Sequence, residues 1–214
     1  MTGHHELAPG IHYWPERLGP AEQAALLEAI LTRIALAPFY RPAMPGSGAP
    51  LSVEMTNFGP LGWVTDRDKG YRYEPRHPVT GELWPDIPAS LLALWAEVTA
   101  YPAPPEACLV NRYRDSARMG LHRDSDEQAT DAPVLSVSLG DTAIFRFGGL
   151  TRRASTASLK LNSGDVLMFG GQARMMFHGI DRIQAGSSSL VPGGGRINLT
   201  LRRVTVPAID GNGE

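Results

Sequence analysis

The sequence predicts an α+β fold that is mainly β, with helices first, an irregular lid next, and then short strands closing as a sandwich or double-sheet barrel. Three observations lead there. Helical periodicity occurs only before residue 101, with apolar residues spaced at three and four. Beyond Ala107 the text turns to short apolar or alternating runs, separated by glycine-rich and Asx turn signals such as Gly148-Gly149, Asn162-Ser163-Gly164-Asp165 and Gly193-Gly194-Gly195. Many short strands at that spacing mark a sandwich or a double-sheet barrel.

The first helix is predicted over Pro20–Leu36. Proline suits a first helical turn, and Ala24, Leu27, Ile30, Leu31 and Ile34 form one apolar face. A second fits Pro88–Ala100, with Leu91, Leu92, Trp95 and Val98 facing inward, and both helices are expected on one outer face of the β core. From Tyr40 to Pro85 the chain is rich in Pro, Gly and aromatics without sustained periodicity, the character of a lid or binding loop. Strands are predicted at Cys108–Tyr113, Pro133–Leu139, Ala143–Phe147, Ser158–Leu161, Asp165–Phe169, Met176–Ile180 and Arg196–Val204.

Composition excludes several classes. With 43% hydrophobic residues the chain can bury a core, and its 214 residues fit a single domain. No apolar run is long enough for a membrane helix, and no signal-peptide pattern opens the chain. The single cysteine, Cys108, excludes an intramolecular disulfide framework and a multi-cysteine zinc site, so a reducing, cytoplasmic setting without membrane contact is expected. A net charge of -2 excludes a nucleic-acid-coating protein. Only Lys69 and Lys160 are lysines; genome composition explains the arginine excess as well as a need for phosphate- or carboxylate-binding forks does.

Two features carry chemistry. In His122-Arg123-Asp124 an imidazole and a carboxylate stand two apart, on one side of an extended segment, and His178 follows in a second strand. Two histidines and one carboxylate with open positions form the facial triad of non-heme Fe(II) oxygenases, although such spacing also arises by chance. In Arg196–Arg202 the alternation is clean: Ile197, Leu199 and Leu201 on one face, Arg196, Asn198, Thr200 and Arg202 on the other. That polar face either looks out to water or points two arginines into a pocket, where they would hold a dianion bidentately. Asn111 and Tyr113 repeat the two-apart geometry on another strand.

The sequence resembles the AlkB family of Fe(II)/2-oxoglutarate-dependent nucleic-acid dealkylases, and most of all its bacterial members. Seven blocks between about Leu51 and Arg203 carry the resemblance: Ser52-Val53-Glu54-Met55-Thr56-Asn57, Leu61-Gly62-Trp63, Asn111-Arg112-Tyr113, Leu121-His122-Arg123-Asp124-Ser125-Asp126-Glu127, Ser136-Val137-Ser138-Leu139-Gly140, Phe147-Gly148-Gly149-Leu150 and Arg196-Ile197-Asn198-Leu199-Thr200-Leu201-Arg202. The resemblance implies a double-stranded β-helix (jelly roll) over about 107–205, a nucleotide-recognition lid over about 40–85, and one dioxygenase domain spanning 1–214. It implies His122, Asp124 and His178 as ligands of Fe(II). It implies Arg196 and Arg202, with Asn111, Tyr113 and Asn198, as the 2-oxoglutarate pocket. Trp63 would stack the damaged base, Tyr71 and Arg152 would contact the substrate strand, and Asp126 would lie near the base's exocyclic group. The implied reaction consumes O2 and 2-oxoglutarate and hydroxylates an N-alkyl carbon. It releases succinate, CO2, an aldehyde and the restored base, of 1-methyladenine or 3-methylcytosine type, in single- or double-stranded DNA or in RNA. A monomer is expected. Two departures bear on substrate preference: Phe169 stands where the family often has tryptophan, and the lid around Pro42–Pro50 matches poorly.

Taken alone, several of these residues have plainer readings. Trp63 and Tyr71 could be core aromatics, Arg152 a solvated charge beside Arg153, and Asp126 and Glu127 loop solubilisers. A related oxygenase acting on protein or small molecules would keep the triad and the arginines, and a non-catalytic metal-binding jelly roll would keep the triad.

Overall fold

Two antiparallel sheets face each other in the computed structural model, which describes residues 3–208. The major sheet has the order β1 (His5–Ala8), β2 (Ile11–Trp14), β11 (Val166–Phe169), β8 (Val134–Gly140), β13 (Arg196–Arg202), β6 (Ala107–Tyr113) and β3 (Glu54–Phe58). The minor sheet has the order β10 (Ala157–Leu161), β9 (Thr142–Phe147), β12 (His178–Gln184) and β7 (Met119–His122). A separate hairpin joins β4 (Gly62–Asp66) to β5 (Gly70–Glu74). The fold is the mainly β jelly roll of the sequence-based expectation, with two α-helices among the described residues.

The helices α1 (Pro20–Ile34) and α2 (Ala89–Thr99) cover the outer face of the major sheet. Pro20 occupies the first turn of α1, and the Glu22 carboxylate accepts the Gly19 N–H at 2.8 Å, satisfying one of the free donors at the helix start. Leu26, Leu27 and Ile30 from α1 and Leu91, Leu94 and Trp95 from α2 pack on Cys108, Val110, Leu135, Val137, Leu139, Leu199 and Leu201. Fully burying each such side chain is worth about 1.5–3 kcal/mol. The contact stripes are shifted from the predicted ones: Leu31 and Leu92 are exposed, and Leu26 and Leu94 take their places. Between the sheets lies a second cluster, including Met55, Leu109, Tyr113, Phe145, Phe147, Phe169 and Ile180. Both faces of the major sheet are therefore buried, and one of them holds the polar half of β13.

Local differences from the sequence reading have physical causes. β1 and β2 extend the major sheet beyond β11, ahead of the first element predicted from the sequence. β3 lies within the predicted lid segment yet pairs with β6; buried nearly throughout, it shows no alternation to read. β7 is four residues with a glycine, too short for a periodicity signal. β12 begins at His178 rather than Met176 and runs on to Gln184. Among the described residues, no helix is long and apolar enough to cross a membrane.

Candidate active site

His122 ends β7 and His178 opens β12, and the two are directly opposed in the antiparallel pairing. That register requires a bare backbone beside His178. A Cβ on Gly179 would meet the Met119 carbonyl oxygen at 2.5 Å and that of Gly120 at 2.8 Å. Asp124 follows β7 and turns in from the loop. The three possible ligand atoms of His122, Asp124 and His178 lie within 4.8 Å of one another. His122 Nε2 is 3.7 Å from Asp124 Oδ1, and His178 Nε2 is 3.8 Å from Asp124 Oδ2.

This donor set fits a divalent transition metal. Each imidazole can donate its Nδ1–H to a carbonyl two residues earlier, Gly120 at 2.9 Å and Met176 at 3.1 Å, which leaves the Nε2 lone pairs to converge. Asp124 Oδ2 is buried without a hydrogen-bond partner among the described residues. Burial and the neighbouring His122, against the pull of Asp124, push His178 down to about 4, so at pH 7 it is neutral, the form in which an imidazole can bind a metal. Burial alone would raise the Asp124 carboxyl, but Arg202, His178, His122 and Arg174 hold it well below the usual carboxylate range. Phe169 lies flat against His178, centroids 5.0 Å apart and planes 18° apart, fixing the ring from behind.

The polar face of β13 turns inward, into a cavity of about 720 Å³ that also holds His122, Asp124 and His178. Asn111, Tyr113, Asn198 and Arg202 line it, and Arg196 lies just behind that wall, fully buried. The two arginines differ. Arg202 is held by carboxylates: it donates to Asp124 Oδ1 at 2.7 Å and to the Tyr73 hydroxyl at 3.2 Å, and lies 3.5 Å from Glu127. Arg196 has no carboxylate partner among the described residues. One of its nitrogens donates to Asn198 Oδ1 at 2.6 Å and Ser138 Oγ at 2.9 Å, and the group lies 5.4 Å from the Tyr113 ring centre. Its Nε and Nη1 have no acceptor among the described residues, and burial pushes its pKa down to about 10. Asn111 Oδ1 and Arg202 Nε are likewise unpartnered. Buried N–H groups without acceptors cost folding energy, so this end of the cavity suits an anion.

On the opposite wall stands the β4–β5 hairpin. Asn57 of β3 fixes its start, accepting the Trp63 N–H and donating to the Trp63 carbonyl, both at 3.0 Å. Gly62 is obligatory there, since a Cβ would lie 2.5 Å from the Trp84 ring. The Trp63 ring is half-buried, stacks on Tyr71 with centroids 5.4 Å apart, and donates from Nε1 to Asp126 at 2.8 Å. Tyr71 is 48% exposed. Both are thus cavity-wall aromatics rather than core. Arg152 reaches the mouth over the Phe177 ring, 5.6 Å from its centre. All twelve predicted site residues therefore lie in or directly behind one cavity.

Sequence reading missed the residues beneath. Glu127 is buried, paired with Arg174 at 3.0 Å, and is no loop solubiliser. Arg174 also donates to the Asp124 carbonyl at 2.6 Å. The Tyr73 hydroxyl donates to Glu127, and burial raises its pKa. A glutamate beside an acidic pair and an arginine in a glycine-rich turn carry no local signal of such pairing. Tyr73 was equally unmarked, and Asn57 stood only within a block of the resemblance, with no role attached.

Comparison with known proteins places this geometry. Residues 10–202 match the 2OG-Fe(II) oxygenase superfamily. The Alpha-ketoglutarate-dependent dioxygenase AlkB homolog of Caulobacter vibrioides is 57% identical over 92% of this chain and 89% of its own. Alpha-ketoglutarate-dependent dioxygenase AlkB of Escherichia coli is 45% identical over 78% of this chain and 77% of its own. The solved structure of OsALKBH1 superposes with a TM-score of 0.78 at 29% identity, covering 94% of this chain and all of that one.

Proposed function

The chain belongs to the 2OG-Fe(II) oxygenase superfamily and, within it, to the AlkB family, and from this we infer that it repairs N-alkylated bases of the 1-methyladenine and 3-methylcytosine type in DNA and in RNA. It is an Fe(II)- and 2-oxoglutarate-dependent dioxygenase that demethylates nucleic acid oxidatively. The observation that carries the co-substrate reading is Arg196, an unbalanced guanidinium with two unpartnered N–H groups at the closed end of the cavity that holds the His-Asp-His cluster.

We assign His122, Asp124 and His178 to the metal. Iron with 2-oxoglutarate and O2 supplies an oxidant able to hydroxylate an N-alkyl carbon, and collapse of the resulting carbinolamine frees the base and an aldehyde. Arg196 holds the far carboxylate of 2-oxoglutarate, with Asn198 orienting its fork and Tyr113 and Asn111 closing the sides. Arg202 stands at the metal end, where it fixes Asp124. Trp63 stacks on the extruded base across from His122, Asp126 accepts from its exocyclic amine, and Tyr71 and Arg152 meet the strand. The cavity wall would exclude water from the bound alkyl group and hold it toward the His-Asp-His cluster. Lesions that block pairing lower the cost of extrusion by a few kcal/mol. The whole chain acts as one domain with the β4–β5 hairpin as its lid, a monomer working in the cytoplasm. A site drawn from one chain and a lone buried thiol support that reading.

The test is mass spectrometry of a methylated oligonucleotide panel, single- and double-stranded, DNA and RNA, with iron and 2-oxoglutarate. Loss of the methyl group with matching succinate is expected. Succinate formation that no alkylated oligonucleotide stimulates would move the substrate to another class.

A further inference from the structure

Among the described residues, both α-helices pack on the major sheet, and neither covers the outer face of the minor sheet. Ile144, Arg146, Ser158, Lys160 and Arg182 line a shallow depression there, of about 560 Å³, with Thr156 and Asp181 at its edges. The strand register places these residues on one face: Ser158 pairs with Arg146, and Lys160 and Arg182 both oppose Ile144 from the two flanking strands. Lys160 and Arg182 therefore stand about 10 Å apart, two strand spacings. Arg146, Lys160 and Arg182 are all exposed. Among the described residues, Asp181 is the one carboxylate at the depression, engaged by Arg182 at 2.6 Å, and Arg146 rests on the Thr156 hydroxyl at 2.7 Å.

In a chain of net charge -2, three cations around one depression are a local concentration, and like charges on neighbouring strands repel unless an anion lies between them. One of the chain's two lysines is among them. The face is also continuous with the candidate active site. Arg146 and Thr156 stand at the base of the β9–β10 loop, whose exposed tip carries Arg152 at the cavity mouth and Arg153 beside it. A strand leaving the mouth past Arg152 meets Arg153, then Arg146, then Lys160 and Arg182.

We propose that this face is an extended track for the phosphodiester backbone of the strand that carries the target base. The proposal rests on the nucleic-acid reading above and adds to it a binding surface outside the cavity. A spacing of about 10 Å covers three stacked nucleotides at about 3.4 Å each, so the track engages strands longer than the few nucleotides the mouth can hold. It reads charge, not sequence.

The experiment compares single-stranded oligonucleotides of about five and about 20 nucleotides, each with one central 1-methyladenine, by fluorescence anisotropy across a salt series. Wild type is expected to bind the longer strand tighter by about tenfold or more. Combining Arg146→Gln, Lys160→Gln and Arg182→Gln should erase that advantage and flatten the salt slope for the long strand by about 2, at about 0.7 per phosphate contact. Arg146→Lys with Arg182→Lys keeps the charge and should keep the advantage; its loss there would mark a structural effect and overturn the track. Retention of the advantage by the glutamine variant overturns it too, as does a wild type indifferent to length. A wild type that binds neither strand takes down the nucleic-acid reading itself.

Discussion

Arg196 and Arg202 sit at the two ends of one strand and share a face, yet their surroundings give them different duties. Arg202 is committed to Asp124, Tyr73 and Glu127, while Arg196 waits for an anion. Arg196→Lys replaces a planar fork by a point charge, so the apparent affinity for 2-oxoglutarate should fall about tenfold or more at saturating metal. Arg202→Lys should instead weaken metal binding as well, by about tenfold to a hundredfold, because it removes the donor that orients Asp124. Paired titrations of metal and co-substrate on both variants check the division; equal losses of 2-oxoglutarate affinity with unchanged metal affinity would erase it. Alanine at His122, Asp124 or His178 should abolish metal-dependent turnover, since a facial triad has no spare ligand. Full activity in any one of them removes that residue from the metal site.

At the scale of elements, the β4–β5 hairpin is held from outside its own ladder, by Asn57 at its start and Asp126 at the Trp63 ring. Because the Trp63 ring lies on the cavity wall, Trp63→Ala should lose about 1–3 kcal/mol of binding to a methylated oligonucleotide, the scale of base–aromatic stacking. Metal and 2-oxoglutarate binding should survive. A core tryptophan would behave differently, costing about 3–5 kcal/mol of stability and taking all functions down together. Melting temperature and oligonucleotide affinity measured on one preparation separate the two.

The elements also show what the sequence can and cannot reveal. β13 was legible as a strand with a polar face, but whether that face met water or an anion depended on a second sheet above it, which no local pattern encodes. His122 and Asp124 were visible through their two-residue gap. Glu127 and Arg174 were not, because a buried ion pair between distant segments leaves no periodic trace. β3 hid among lid residues because burial on both faces removes the alternation that marks a strand.

Across the whole molecule, helices and lid are fastened to the same sheet from opposite sides, so core packing and site geometry separate cleanly. Leu199 points away from the cavity into the layer beneath α1 and α2, while its neighbours Asn198 and Thr200 line the cavity. Leu199→Ala should therefore cost about 2–5 kcal/mol of stability, read from denaturant unfolding. Below the melting transition, the Kd for 2-oxoglutarate should stay within about threefold of wild type, a shift of well under 1.4 kcal/mol. A large change in that Kd would show that the two layers are mechanically coupled.

The facing of His122 and His178 across the β7–β12 ladder also has a consequence for how the chain tolerates rearrangement. Their encounter depends on strand parity, not on the length of polypeptide between them. Extra residues inserted at the exposed tip of the β9–β10 loop leave the ladder intact and both imidazoles in register, and what they disturb is Arg152 at the cavity mouth. A single residue inserted between Met119 and His122 instead rotates the imidazole to the other face of the sheet, and the ligand is lost however well the chain still folds.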